Sequence, residues 1–175
     1  MNIVLIGYRC SGKTEVGKIL AKELNKDFFD TDKLIEDSAG CSIEKIIYRY
    51  GWEYFRNIEK KIIEKVSTRD DLILATGGGI VLEWDNVINL QRNGLIVWLD
   101  GNAEVLKERM KRDHGSGKIR PSLTGSDPLD EIREVLTIRK PLYERAADLV
   151  VDAGSASIHE VTNSIINALS KEIQG

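Results

Sequence analysis

Cysteine and histidine are scarce in this chain, and each scarcity excludes something. Two cysteines, Cys10 and Cys41, cannot build a disulfide framework. Cys10 also falls inside a glycine-bounded loop, a poor place for a crosslink. Both read as small side chains in a reducing compartment. Two histidines, His114 and His159, are too few and too far apart for a metal cluster. No apolar run approaches the length that spans a bilayer. The N-terminus shows no basic stretch, apolar core and cleavage site, so the expectation is a cytoplasmic chain without a membrane partner. No long run of basic side chains occurs either, and 25 Lys and Arg against 28 Asp and Glu leave a net charge of −3. A duplex binder needs a positive footprint, which removes nucleic acid from the expected partners. A small anionic ligand would have to be held by a few placed arginines.

What is present fits one domain over residues 1–175, with 42% hydrophobic and 30% charged residues. Apolar runs of strand length recur at residues 3–6, 28–29, 72–75, 95–99 and 149–151. They are continuous, not alternating, which fits strands buried on both faces. Helical spacing fills the intervals. Val16, Ile19, Leu20 and Leu24 share one face, as do Ile58, Ile62, Ile63 and Val66, then Val105, Leu106 and Met110, then Ile158, Val161, Ile165, Ile166 and Leu169. Strands alternating with helices predict βαβ units and a parallel sheet. No repeat or interdomain linker interrupts them. Residues 112–128 break the pattern with Gly115, Gly117, Gly125, three serines and two prolines, and no apolar period. A loop of that length in a compact domain reads as a lid, and Lys118 and Arg120 sit inside it.

Residues 7–14, Gly-Tyr-Arg-Cys-Ser-Gly-Lys-Thr, match G-x-x-x-x-G-K-[ST] between a buried strand and an amphipathic helix. That context is what the chemistry requires. Backbone N–H groups and a helix N-terminus cradle phosphate oxygens, Lys13 reaches the outer phosphates, and the Thr14 hydroxyl can ligate Mg²⁺. The loop therefore predicts nucleoside triphosphate binding. Cys10 stands where many such loops carry glycine, which narrows backbone freedom.

Ligands of open parallel sheets bind beyond the carboxyl ends of the strands. After the second strand comes Asp30-Thr31-Asp32, a pair of carboxylates two apart. One can face a metal, and the other can orient or deprotonate an acceptor hydroxyl. The competing reading is a helix N-cap, for which Asp32 or Thr31 is well placed. After the third strand comes Gly77-Gly78-Gly79, costly in backbone entropy and suited to close approach of a ligand. Arg56 follows Phe55 at an expected helix start, with Glu59 one turn on. Arg139 precedes Pro141, which is expected to break or start a helix and so fix the Arg139 backbone. A guanidinium fork suits a carboxylate or a phosphate. Taken singly, either arginine reads better as a surface ion-pair partner, and the case for a clamp depends on the resemblance below.

In order and spacing, residues 7–14, Asp30-Thr31-Asp32, Phe55-Arg56, Gly77-Gly78-Gly79, Arg120-Pro121 and Arg139-Lys140-Pro141-Leu142-Tyr143 resemble the shikimate kinase family, over nearly the whole chain. The resemblance implies an α/β fold of the P-loop NTPase, nucleoside-monophosphate-kinase-like type. Its five-stranded parallel sheet would run 2-3-1-4-5 between flanking helices, with substrate-binding helices over about 31–66 and a lid over about 112–128. It implies ATP-dependent phosphorylation of a ring hydroxyl of shikimate, giving shikimate 3-phosphate in aromatic amino acid biosynthesis, by a monomer using Mg²⁺. By position, Asp32 would hold the acceptor hydroxyl and act as base. Arg56 and Arg139 would clamp the shikimate carboxylate, and Gly77, Gly78 and Gly79 would line the acceptor. Cys10, Ser11, Gly12, Lys13, Thr14 and Glu15 would bind ATP, Lys13 and Arg120 would stabilise the transferring group, and Arg109 would flank the adenine. Thr14, with Asp30 through water, would hold the metal. The chain departs from the family pattern at Cys10, at Trp52 and at Ser122, where Gly, Glu and Leu are usual.

Two rivals share part of this pattern. Another small-molecule kinase of the same fold, such as a gluconate kinase, would keep residues 7–14 but has no need of two arginines beside the glycine triplet. A GTPase-like switch would need D-x-x-G after a strand, whereas Asp37-Ser38-Ala39-Gly40 lies in a helical pattern, and Asn25-Lys26-Asp27-Phe28 lacks the final Asp of a guanine reader.

Overall fold

The computed structural model describes residues 1–114 and 128–172. Strand β1 (Asn2–Ile6) leads into helix α1 (Lys13–Leu24), β2 (Asp27–Asp30) and helices α2 (Thr31–Ala39) and α3 (Ile43–Val66). Strand β3 (Leu72–Ala75), a 3-10 turn (Ile80–Leu82), α4 (Trp84–Gln91) and β4 (Gly94–Asp100) follow. Helices α5 (Ala103–His114) and α6 (Pro128–Ala146), strand β5 (Leu149–Asp152) and α7 (Ile158–Glu172) complete the order. The strands pair in parallel as β2-β3-β1-β4-β5. Both the parallel sheet and its order match the expectation.

In β1, β3 and β4 the continuous apolar runs are explained by burial on both faces, whereas at the edge strand β5 Val150 faces solvent. Successive side chains of a strand point to opposite sides. Val4, Ile6, Leu72, Leu74, Ile96 and Trp98 therefore join one core with Ile63, Val87 and Tyr143 from α3, α4 and α6. Ile3, Leu5, Ile73, Val97 and Leu99 join the other with Val16 and Leu20 of α1 and Val161 and Ile165 of α7. In-register pairing of Ile6 with Trp98 and of Asp30 with Ala75 aligns the strand ends. The loops that follow them gather at one edge.

Four local expectations change. Arg56 is not at a helix start. It lies within α3, a long helix that Gly51 kinks with φ 81° and ψ 173°. A Cβ at Gly51 would touch nothing within 4 Å, so the left-handed φ, not space, calls for glycine. The kink puts Arg56 a turn inside the second segment. Pro141 neither breaks nor starts a helix, because α6 continues through it to Ala146. The α2 N-cap is Asp30, whose side chain accepts from the Asp32 N–H, and not Asp32 or Thr31. Residues 112–114 belong to α5 and Pro128 opens α6, so the irregular stretch is shorter than 112–128. Its remainder, with Lys118 and Arg120, lies outside the described residues.

Candidate active site

The phosphate loop is shaped by its own backbone. Gly7 has φ 140°, and a Cβ there would lie 2.7 Å from the Leu99 carbonyl of the neighbouring strand. Only glycine fits. The loop curls round Lys13, whose buried Nζ donates to the carbonyls of Gly7 at 2.8 Å and Tyr8 at 2.7 Å and to Ser11 Oγ at 3.3 Å. Lys13 also begins α1, so the ammonium and the positive end of the helix dipole point into one loop. Cys10 takes φ 63°, the left-handed region that disfavours a side chain. Its side chain packs with Tyr8 against Ala103, Leu106, Ile132 and Val135 of α5 and α6. The loop thus holds an uncommon residue in a strained conformation and gains apolar contact from it.

At the end of β2, both Asp30 oxygens are used. Oδ1 accepts from the Asp32 N–H at 3.0 Å, and Oδ2 accepts from Thr14 Oγ1 at 2.8 Å. A hydroxyl and a carboxylate side by side next to the phosphate loop are hard oxygen donors. They fit a Mg²⁺ that arrives on a triphosphate and keeps several waters. No group of three or more His, Cys, Asp or Glu able to cage a metal occurs among the described residues. Fully buried Thr31 accepts the Gly77 N–H at 3.2 Å and so ties α2 to the loop after β3. The N–H of Gly77 is thereby engaged, and what Gly77 offers the site is room. A Cβ there would lie 2.8 Å from Asp32 Oδ1 and 3.3 Å from Glu59 Oε1.

Two arginines converge on the same triplet from different helices. Arg56 Nη1 pairs with Glu59 Oε2 at 2.6 Å. Its guanidinium lies 5.0 Å from the Phe55 ring centre and 5.8 Å from that of Trp52. A Cβ at Gly79 would collide with it. Glu59 is fully buried, and burial raises its carboxyl above the ordinary value, the Arg56 charge opposing. Its Oε1 has no hydrogen-bond partner among the described residues. From the other side, buried Arg139 donates from Nη1 to the Gly78 carbonyl at 3.0 Å. The Tyr143 hydroxyl donates to the same oxygen. Burial pushes that hydroxyl up to about 12, with Arg139 opposing.

Other expected residues sit further out. Arg109 on α5 donates from Nη2 to the Ala153 carbonyl at 2.7 Å, which places it beside the end of β5. Glu15 is exposed and pairs with Lys18 at 3.1 Å. Arg120 lies outside the described residues. Reading the chain alone missed the Thr31 hydroxyl, the Gly78 carbonyl, the tasks of Glu59 and Tyr143, and the Trp52 ring as a neighbour of Arg56. Spacing held a signal for some of these. Residues 52 and 56, 56 and 59, and 139 and 143 are three or four apart, hence on shared helix faces once the helices are known to continue.

A parallel 2-3-1-4-5 sheet carrying a glycine-lysine-threonine loop on its first strand, with carboxylates at the second strand end, defines a P-loop phosphotransferase. The family model of shikimate kinase matches residues 9–170. A shikimate kinase of Caldanaerobacter subterraneus subsp. tengcongensis is 42% identical over 97% of this chain and 96% of its own length. The structure of a shikimate kinase from Acinetobacter baumannii in complex with shikimate superposes with a TM-score of 0.90 at 32% identity, covering 98% of this chain and 93% of that one. The chain belongs to the shikimate kinase family. A gluconokinase from Sinorhizobium meliloti shares the fold alone, with a TM-score of 0.56 at 17% identity over 97% of this chain and 91% of that one.

Proposed function

We propose that this chain transfers the γ-phosphoryl group of ATP to a ring hydroxyl of shikimate, with Asp32 as base and Arg56 and Arg139 as the carboxylate clamp. Shikimate 3-phosphate and ADP would be the products, within aromatic amino acid biosynthesis. The observation that carries the residue assignment is the crowding round Gly77-Gly78-Gly79. Asp32, Arg56 and Arg139 reach it from three helices, and its backbone abuts the phosphate loop, with a Cβ at Gly78 only 3.1 Å from the Arg9 nitrogen.

Phosphoryl transfer is mostly positioning and charge stabilisation. The acceptor oxygen attacks the γ-phosphorus, the bond to the β,γ-bridging oxygen breaks, and the hydroxyl proton passes to Asp32. The clamp sets the ring through its carboxylate, and the backbone of Gly78 and Gly79 borders it. Lys13 exchanges loop carbonyls for phosphate oxygens and meets the charge that develops on the transferring group. Thr14 and Asp30 would hold Mg²⁺, which neutralises phosphate charge. Cys10, Ser11, Gly12 and Thr14 border the phosphates, and Glu15 lies one residue along α1. Arg109 would cover the adenine, and Arg120 would reach the phosphates from the lid.

The same reading has a monomer in the cytoplasm. Neither Cys10 nor Cys41 forms a disulfide, which suits a reducing compartment. No helix among the described residues is long and apolar enough to cross a membrane. The test is an acceptor panel with ATP and Mg²⁺: shikimate, gluconate and nucleoside monophosphates. Phosphorylation of shikimate alone is expected, and activity confined to another acceptor refutes the proposal.

A further inference from the structure

Tyr143 ends the Arg139-Lys140-Pro141-Leu142-Tyr143 run, yet phosphoryl transfer as described gives it no task. It is fully buried, and its ring stacks on Trp98 with centres 5.7 Å apart and planes at 25°. Trp98 pairs in register with Ile6, the last residue before the phosphate loop. The Tyr143 hydroxyl and Arg139 Nη1 donate to one oxygen, the Gly78 carbonyl, so that oxygen has both lone pairs engaged. The opposite side of Gly78 rests on the phosphate loop. A Cβ there would lie 3.1 Å from the Arg9 nitrogen and 3.4 Å from the Gly7 carbonyl oxygen. Tyr8 of that loop is in turn buried against Ile132 and Val135 of α6. One helix therefore grips the nucleotide loop with its first turns and the acceptor loop with its later ones.

We infer that Tyr143 is a positioning residue that fixes the Gly78 peptide between the two half-sites, so that its hydroxyl governs the binding of both nucleotide and acceptor. The inference rests on reading residues 7–14 as the nucleotide loop and Arg139 as an acceptor clamp. A glycine peptide has two soft dihedrals and no side chain to restrain it. Two donors on its carbonyl supply the restraint. Loss of one lets the peptide tilt, which moves the Arg139 anchor on one side and the Arg9 and Gly7 backbone on the other. Because burial keeps the hydroxyl protonated until about pH 12, the restraint does not vary across ordinary working pH. If the Tyr143 hydroxyl contributed only stability, its removal would lower the melting temperature and leave both Michaelis constants where they were.

Tyr143→Phe keeps the ring and its stacking on Trp98 and removes only the donor. With ATP and shikimate both varied, the KM values for the two substrates are expected to rise together, each roughly fivefold, as for one lost hydrogen bond of ordinary strength. Arg139→Ala removes the other donor together with the clamp charge, so it is expected to raise the shikimate KM most, with a smaller, roughly fivefold rise for ATP. In the double variant the shikimate KM should rise by less than the product of the two single effects, since both act through one carbonyl. Unchanged KM values in a folded Tyr143→Phe protein, or a rise for one substrate only, overturn the inference. An Arg139→Ala variant with a normal shikimate KM sinks the clamp reading instead. Should Tyr143→Phe fail to fold, Gly78→Ala presses a methyl on the Arg9 nitrogen. A joint rise supports the inference and a rise confined to one substrate overturns it.

Discussion

Residues 7–14 curl round the Lys13 ammonium within one loop, whereas the acceptor side draws Asp32, Arg56, Glu59 and Arg139 from three helices onto one glycine triplet. The first half is mostly backbone, and its cation is already satisfied by two carbonyls and a hydroxyl. The second is mostly side chains, and its charges are held by one another and by burial. On the proposed function, binding in the first half would be an exchange of partners on a preformed cradle. On the same reading, binding in the second would insert an anion between Arg56, paired with Glu59 one turn on, and Arg139, anchored on the Gly78 carbonyl. Damage should therefore spread differently in the two halves.

Lys13→Ala is the largest perturbation. Removing a cation aimed at the developing charge should lower kcat by roughly 10³-fold. It also strips the Gly7 and Tyr8 carbonyls of a donor, at about 1–3 kcal/mol of stability. Calorimetry beside kinetics checks both, and a catalytic loss with an unchanged melting temperature would break the picture of a lysine that is also scaffold. Arg139→Ala should raise the shikimate KM by roughly 10²-fold, the cost of removing one partner of a charge-assisted contact, and the ATP KM only by roughly fivefold through the lost bond to the Gly78 carbonyl. A matching rise for ATP would mean that the two halves are not separable at that arginine.

Glu59→Gln should act through Arg56 and raise the shikimate KM roughly tenfold at neutral pH, as for loss of a buried, hydrogen-bonded ionic partner. The pH dependence gives a second reading. Burial raises the Glu59 carboxyl above its ordinary 4.5, so the protonated form is favoured in the fold. Stability from this group is complete below that ordinary value and is lost as pH rises through the raised one. The clamp wants the opposite, an ionised Glu59. Hence the shikimate KM should climb as pH falls through the raised value, and Glu59→Gln should flatten both that climb and the stability trend. A pH profile of KM and melting temperature for the pair checks it. The smallest effect is expected at Cys10→Gly. Relief of the left-handed φ is worth about 1 kcal/mol, partly offset by glycine's entropy and by lost packing on α5 and α6. The melting temperature should rise by no more than about 3 °C, with an ATP KM changed less than about twofold.

The same contrast governs what could be read without coordinates. The phosphate loop is local, so eight consecutive residues between a strand and a helix announced it. The five strands were legible from their apolar runs, those of β1, β3 and β4 being buried on both faces, whereas the sheet order came only with the family resemblance. The acceptor side was legible only as scattered residues joined by a family resemblance. Its local geometry went astray where a short-range rule met tertiary context. Pro141 sits inside α6, and the Gly51 kink leaves Arg56 within a longer helix. Asp30 took the capping task because its other oxygen was already set by Thr14. The Gly78 carbonyl could not be seen at all, since a backbone acceptor has no residue signature.

The meeting of the two halves at Asp32 is the central claim, and single-turnover phosphorylation of shikimate by Asp32→Asn tests it most directly. The side chain keeps its size beside Gly77 but cannot take the acceptor proton. A fall in the transfer rate of roughly 10²–10⁴-fold is expected, with both substrates still bound near their normal affinities. A near-normal transfer rate would contradict the account.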